Sequence, residues 1–295
     1  MTRGQKKFII IAAFAIVLAF AVGLIGKYTG RGFKGASIAL LRVEGPIVDV
    51  SWHMDQVKKF IEDDRIRAVV LRIDTAGGAV APTQELFREL QRLKELKPVV
   101  TSMGTIAASG GYYLSCATDW IICNPGTLTG SIGVVMEFTN MQELFQKIGI
   151  GLKTIKSGKF KDTGNPARQL TEEEEHLLTD MVLDIYEQFV EAVLEGRSVD
   201  EETIRPYFDG RVFTGRQALE LGLVDEFGNI NDALAKAAEM AGLPRVPEEI
   251  YEPVKERPGL IGFLFGKAAT DAIINIANAA RDSTGERWLQ LWRAF

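Results

Sequence analysis

The sequence predicts an α/β fold built from crossover units. Short apolar runs rich in β-branched residues recur at Ser37–Val43, Ala68–Ile73 and Pro98–Ser102. Stretches of helical periodicity separate them, and glycine-rich turns close the second and third. Strand, helix, strand, helix, strand is the order expected when parallel strands are joined by helices that pack back on the sheet. With 46% hydrophobic residues in a chain of 295, a substantial core can be buried.

Ser37–Val43 (SIALLRV) ends at the turn signal Glu44-Gly45-Pro46. Met54–Glu62 reads as a short helix. Ala68–Ile73 (AVVLRI) is a buried strand running into Asp74-Thr75-Ala76-Gly77-Gly78. Between Pro82 and Leu96, Leu86, Leu90, Leu93 and Leu96 recur at helical spacing, and Pro82 suits a first helical turn. Pro98–Ser102 leads into Gly104-Thr105-Ile106-Ala107-Ala108-Ser109-Gly110-Gly111 and then a helix through Cys116. Trp120–Cys123 and Ile132–Met136 are predicted as further strands. Thr171 with Glu174 fits a capping box. It opens a long helix whose buried face is expected at Leu178, Met181, Ile185, Phe189 and Val193 and whose end is Gly196. The acids at Glu172–Glu175 suit the positive end of that helix and carry no catalytic weight. After Pro244 the composition changes, so 37–245 reads as the folded domain and 246–295 as a tail, with a helix-like stretch at Ala268–Ala280.

Residues 8–26 (FIIIAAFAIVLAFAVGLIG) carry no charge. As a helix they span about 28 Å, close to the hydrocarbon thickness of a bilayer. Arg3, Lys6 and Lys7 precede them, which leaves residues 1–7 cytoplasmic and the bulk of the chain outside a cytoplasmic membrane crossed once. An uncleaved anchor is favoured. Two alternatives compete: a cleavable signal peptide ending near Ala19-Phe20-Ala21, opposed by an apolar core longer than the usual roughly 7–15 residues, and a buried helix, opposed by two-sided apolarity and the terminal position. Residues 27–36 read as an exit linker. Removing the four basic residues of residues 1–30, Arg3, Lys6, Lys7 and Lys27, from the total of 34 leaves 30 against 39 acidic, a net charge of −9 that argues against nucleic acid as a partner. Two cysteines, Cys116 and Cys123, are too few for a metal finger or a disulfide framework, and whether they pair stays open.

Acyl transfer needs a nucleophile, a base beside it, and N–H donors aimed at the developing oxyanion. Ser109 lies between small residues where a strand gives way to a helix, so free backbone N–H groups and the positive helix end face it. Gly110 N–H is one natural donor, and Gly77-Gly78, closing the preceding strand, can supply the second. Read alone, each glycine pair is a tight turn. The two histidines, His53 and His176, have no such context, and a lysine can replace histidine as the base where burial disfavours its ammonium form.

The stretch Gly104–Tyr113, the run Thr127-Leu128-Thr129-Gly130-Ser131-Ile132-Gly133-Val134, and Ser157-Gly158-Lys159-Phe160-Lys161-Asp162 together resemble the signal peptide peptidase A (protease IV) family. Gly210–Ala218 with Leu221–Asp225 resembles a later block of that family, and the likeness covers roughly residues 37–240. The resemblance implies a ClpP/crotonase-like fold and a membrane-anchored serine endopeptidase that degrades cleaved signal peptides and similar hydrophobic peptides. Ser109 matches the nucleophile, Lys161 the base, Gly78 and Gly110 the oxyanion donors, and Ser131 a hydroxyl that orients the lysine. Lys159 is the rival base. No cofactor and no metal are implied. The likeness further implies a ring-shaped homo-oligomer in which the serine and lysine come from adjacent subunits. Where the family usually carries Asn-Ser-Pro-Gly-Gly, this chain has Asp74-Thr75-Ala76-Gly77-Gly78, and the missing proline predicts a less preorganised loop. A crotonase-like acyl-CoA enzyme and a catalytically silent membrane scaffold are the alternatives.

Overall fold

The computed structural model describes residues 37–254. The expected cytoplasmic end, anchor and linker, residues 1–36, and residues 255–295 of the tail lie outside the described residues. Among the described residues no helix is long and apolar enough to cross a membrane. The chain divides into two units, Met1–Glu252 and Pro253–Phe295, and every described helix and strand belongs to the first.

The centre of that unit is a sheet whose three long strands are β1 (Ser37–Glu44), β2 (Ile66–Thr75) and β3 (Val99–Ala108). They lie side by side and parallel, as crossover connections require. Helix α1 (Ser51–Glu62) joins β1 to β2, and α2 (Val80–Lys94) joins β2 to β3. β8 (Ile250–Tyr251) pairs with the outer edge of β1. On its other side β3 serves two neighbours. Its first half, Val100–Ser102, pairs with β4 (Trp120–Cys123), which in turn pairs with β7 (Glu226–Phe227). Its last residues, Ile106–Ala108, pair with β5 (Leu128–Gly130), which carries the antiparallel β6 (Val212–Thr214). The mixed α/β architecture with a central sheet agrees with the fold class read from the sequence.

Alternation along the strands builds a core on each face. Ala39, Leu41 and Val43 of β1 with Val69, Leu71 and Ile73 of β2 meet Val57 and Phe60 of α1 and Leu86, Leu90 and Leu93 of α2. The residues between them, Ile38, Leu40, Ala68 and Val70, face Ala233 and Ala237 of α8 (Ile230–Met240). Burial on both faces explains why these strands read as unbroken apolar runs. Between them, α3 (Gly110–Ser115) follows β3 directly, α4 is Gln142–Lys147, α5 is Glu172–Gly196, and the short α6 and α7 are Glu201–Ile204 and Gly215–Glu220.

Three expectations need correction. β3 does not stop at Ser102 but runs to Ala108. Ile132–Met136 forms no ladder. Gly130 and Ser131 take φ values of 80° and 51°, which turn the chain out of the sheet before that run begins, and β5 lies ahead of the turn instead. The capping box of α5 is present, with Thr171 and Glu174 exchanging bonds of 2.9 and 3.2 Å. Its buried face, however, is confined to the C-terminal third. Of the expected positions Phe189 and Val193 are buried, Leu178 and Ile185 are half-buried, and Met181 is exposed. At about 1.5 Å per residue the helix is longer than the core beneath it. The two cysteines, left open by the sequence, are free thiols, and burial pushes Cys116 up to about 12 and Cys123 to about 11.

At the end of α5 the buried guanidinium of Arg197 forks onto both carboxylate oxygens of Asp225, at 2.9 and 2.7 Å, and donates to the Gly222 carbonyl. Asp225 also accepts from the N–H of Ile121 on β4, at 2.7 Å, so the pair ties α5 to the sheet. Removing one partner of a buried pair strands the other charge. Arg197→Ala is expected to lower unfolding free energy by about 3–5 kcal/mol in denaturant titration. Arg65→Ala, which breaks an exposed pair with Asp63, should change it by about 0–1 kcal/mol.

Candidate active site

Three loops meet at the carboxyl edge of the parallel strands, where open α/β sheets place their ligands. One follows β1 and contains Ile47, one follows β2 and contains Gly77 and Gly78, and one is the β3–α3 junction at Ser109. Ile47 and Gly78 form a parallel bridge. Ile47 N–H donates to the Gly77 carbonyl at 3.0 Å, and Ala79 N–H donates to the Ile47 carbonyl at 2.7 Å. Both bonds use groups flanking Gly78, so its own N–H points away from Ile47. A Cβ on Gly78 would lie 2.2 Å from the Ile47 oxygen, and one on Gly77, whose φ is +109°, would lie 2.8 Å from Ser109 Cβ. No side chain fits either position.

Ser109 caps α3 with φ 51° and ψ −120°, a conformation that costs a non-glycine residue about 1–3 kcal/mol. Its neighbours hold it there. Ser109 N–H donates to the Gly130 carbonyl at 2.8 Å, and the Ser109 carbonyl accepts from Tyr113 N–H at 2.9 Å. Gly110 is the first residue of α3, so its N–H has no partner within the helix. Ser109, Gly78 and Gly110 line one groove with about 120 Å³ of cavity volume, flanked by Val80, Tyr113, Val134, Ile185 and Phe189. Tyr113 is wedged between Phe87 and Phe189, with ring centroids 4.8 and 4.9 Å away. The arrangement offers a hydroxyl, two outward N–H donors and apolar walls, which suits attack on the carbonyl of an extended apolar chain.

Ser131 follows the residue whose carbonyl holds Ser109 in place. Besides Ser109 it is the one other non-glycine residue with positive φ among the described residues. Lys161 lies elsewhere. It is exposed, on a turn spanning 157–164, and no lysine lines the groove. Of the lysines around it, Lys156 binds Asp162 and Lys159 is paired with Glu173, whereas Lys161 makes no ion pair among the described residues. Within one chain, therefore, the serine and both glycines come together and the lysine does not join them.

A sequence profile described as Peptidase family S49 matches residues 91–244. The chain belongs to peptidase family S49. A Synechocystis protein named as a candidate protease is 44% identical over 200 residues, covering 68% of this chain and 72% of its own. A candidate signal peptide peptidase SppA of Enterococcus faecium is 38% identical over 182 residues, 61% of this chain and 53% of its own. The chloroplastic serine protease SPPA of Arabidopsis thaliana is 32% identical over 235 residues, 77% of this chain and 35% of its own. The S49 chain is a serine peptidase of the signal peptide peptidase A family.

Two features of this S49 site have no signature in the sequence. The first concerns the loop expected to be loose for want of a proline. Thr75 Oγ1 donates to the Gly45 carbonyl at 2.6 Å and accepts from Gly77 N–H at 3.0 Å, and the Ile47 bridge fixes the next residue. The loop is therefore preorganised by hydrogen bonds. The second is a bulge between β2 and β3: Ile73 pairs with Met103, but Thr75 pairs with Ala107. Asp74 fills it, accepting Ile106 N–H at 3.2 Å, and a Cβ on Gly104 would lie 2.6 Å from the Asp74 carboxyl carbon. The bulge re-aims the last residues before Ser109. No local pattern signals it, because the partners are 32 residues apart.

Asp74→Ala should lower kcat by at least about tenfold by freeing the bulge, while Asp74→Asn, which keeps an acceptor oxygen, should stay near wild type. Equal kcat for both would show that the bulge has no part in turnover. Gly77→Ala should reduce turnover about 100-fold or more through displacement of Ser109, read by peptide hydrolysis alongside melting temperature.

Proposed function

We propose that this chain is a membrane-anchored endopeptidase that degrades cleaved signal peptides and similar apolar peptides through a Ser109–Lys161 dyad on a ClpP/crotonase-like frame. The observation that carries the reading is the strained Ser109 turn with Gly78 and Gly110 lining the same groove. The relatives' names point to signal peptides, and the apolar groove walls suit such substrates. The uncharged run 8–26 behind Arg3, Lys6 and Lys7 supports an anchor with the peptidase domain outside the cytoplasm.

The exposed position of Lys161 favours a site shared between subunits of a ring. The segment around it also exposes Ile148, Ile150, Leu152, Ile155 and Phe160, apolar surface suited to burial against a second copy. Burial between subunits disfavours the charged form of a lysine, as a base requires. Lys161 of the partner subunit then takes the proton from Ser109 Oγ as Oγ bonds to the peptide carbonyl carbon. The oxyanion rests on Gly78 and Gly110 N–H. The lysine returns its proton to the departing amine as the C–N bond breaks. Water, deprotonated by the same lysine, hydrolyses the acyl-enzyme, and Ser131 holds the amine in line.

Ser109→Ala and Lys161→Ala should each lower activity by about four orders of magnitude or more with folding and assembly retained. Rings assembled from equal amounts of both variants should regain activity at about one quarter of their sites. Full activity in Lys161→Ala, or no recovery in verified mixed rings, would sink the shared dyad. Carbonate extraction with protease protection tests the address: the chain should stay with the membrane and be digestible from the outer side alone.

A further inference from the structure

We propose that Arg168 is a positioning residue that locks the Lys161 turn onto the start of α5. The inference rests on the reading of Lys161 as the base. That turn has little backbone structure of its own, since Lys161 N–H reaches the Gly158 carbonyl and Thr163 N–H the Phe160 carbonyl at 3.2 Å each. Side chains supply what the backbone lacks. Arg168 donates to the Asp162 carboxylate at 2.9 and 3.2 Å and to the Asp162 carbonyl at 3.0 Å. From the other side of the same guanidinium it donates to both Glu174 oxygens, at 2.7 and 2.6 Å. Glu174, its side chain 3% exposed, also accepts from Thr163 Oγ1 at 3.1 Å and from the capping Thr171 N–H. Asp162 and Thr163, the two residues after Lys161, are thus both tied to the first turn of a 25-residue helix.

Charge points the same way. Lys156 completes the cluster by binding Asp162, so two cations meet two carboxylates. Asp162, Glu173 and Glu174 are engaged by Lys156, Lys159 and Arg168, and Lys161 is left without an ion pair among the described residues. A fixed backbone with an uncommitted amine is what a base serving another subunit requires. The fork is specific to a guanidinium, because an ammonium cannot span two carboxylates in one plane.

The test uses assembled full-length protein carrying Arg168→Lys or Asp162→Asn; the second leaves the Arg168–Glu174 bonds and the helix cap intact. Each should lower kcat by about 10–100-fold while KM stays within about twofold and melting temperature and assembly are kept. Fluorophosphonate labelling of Ser109 should slow in step, and adding Arg168→Lys to Lys161→Ala should slow labelling no further. Wild-type kcat in Asp162→Asn, a change confined to KM, or a multiplicative loss in the double variant would overturn the assignment. Labelling of Lys161→Ala at the wild-type rate would instead reject Lys161 as the base, a separate outcome.

Discussion

The architecture depends on the approach of three backbones at the carboxyl edge of the sheet, closer than any side chain permits. Ile47, Gly78 and the Ser109–Gly110 junction sit within contact of one another only because Gly77, Gly78 and Gly110, in the loops just beyond β2 and β3, carry no Cβ. Each strand end is fixed by a long, doubly buried parallel strand behind it, so the burial of the core is what holds the loops in register. Strain at Ser109 is tolerated because hydrogen bonds from two directions, Gly130 and Tyr113, leave its backbone no other place to go.

Much of this was legible in the sequence, for physical reasons that differ by element. β1, β2 and α2 announced themselves through burial patterns that are local. The capping box at Thr171 was legible because its partners are three residues apart. What stayed hidden depends on contacts distant in the chain. The Asp74 bulge joins residues on different strands, β5 is set by two positive-φ residues rather than by apolar content, and Met181, which periodicity alone assigns to the buried face of α5, is exposed. Ser109, Gly78 and Gly110 could be placed together from glycine pairs at consecutive strand ends, whereas the exposure of Lys161, away from the groove lining, has no local signature.

The division between the serine side and the lysine side is also a division of physical style. The groove is made of backbone on rigid strands, with few options for rearrangement. The lysine segment is built from a charged cluster and exposed apolar residues, with one short helix between 131 and 171. Backbone donors preorganise charge stabilisation at no side-chain entropy, while a side-chain network can be assembled on an irregular length of chain and still fix one position within it.

The split pairing of β3 carries a consequence for how such a peptidase can diverge. One half of the strand is bound into the lattice that keeps the molecule folded, through β4 and β7, and the other half hands its last peptide groups to the reacting region through β5. Changes along the β5–β6 ribbon can retune the chemistry while the β4 branch goes on bearing the weight of the fold, so adaptation and endurance are housed on separate arms of a single strand.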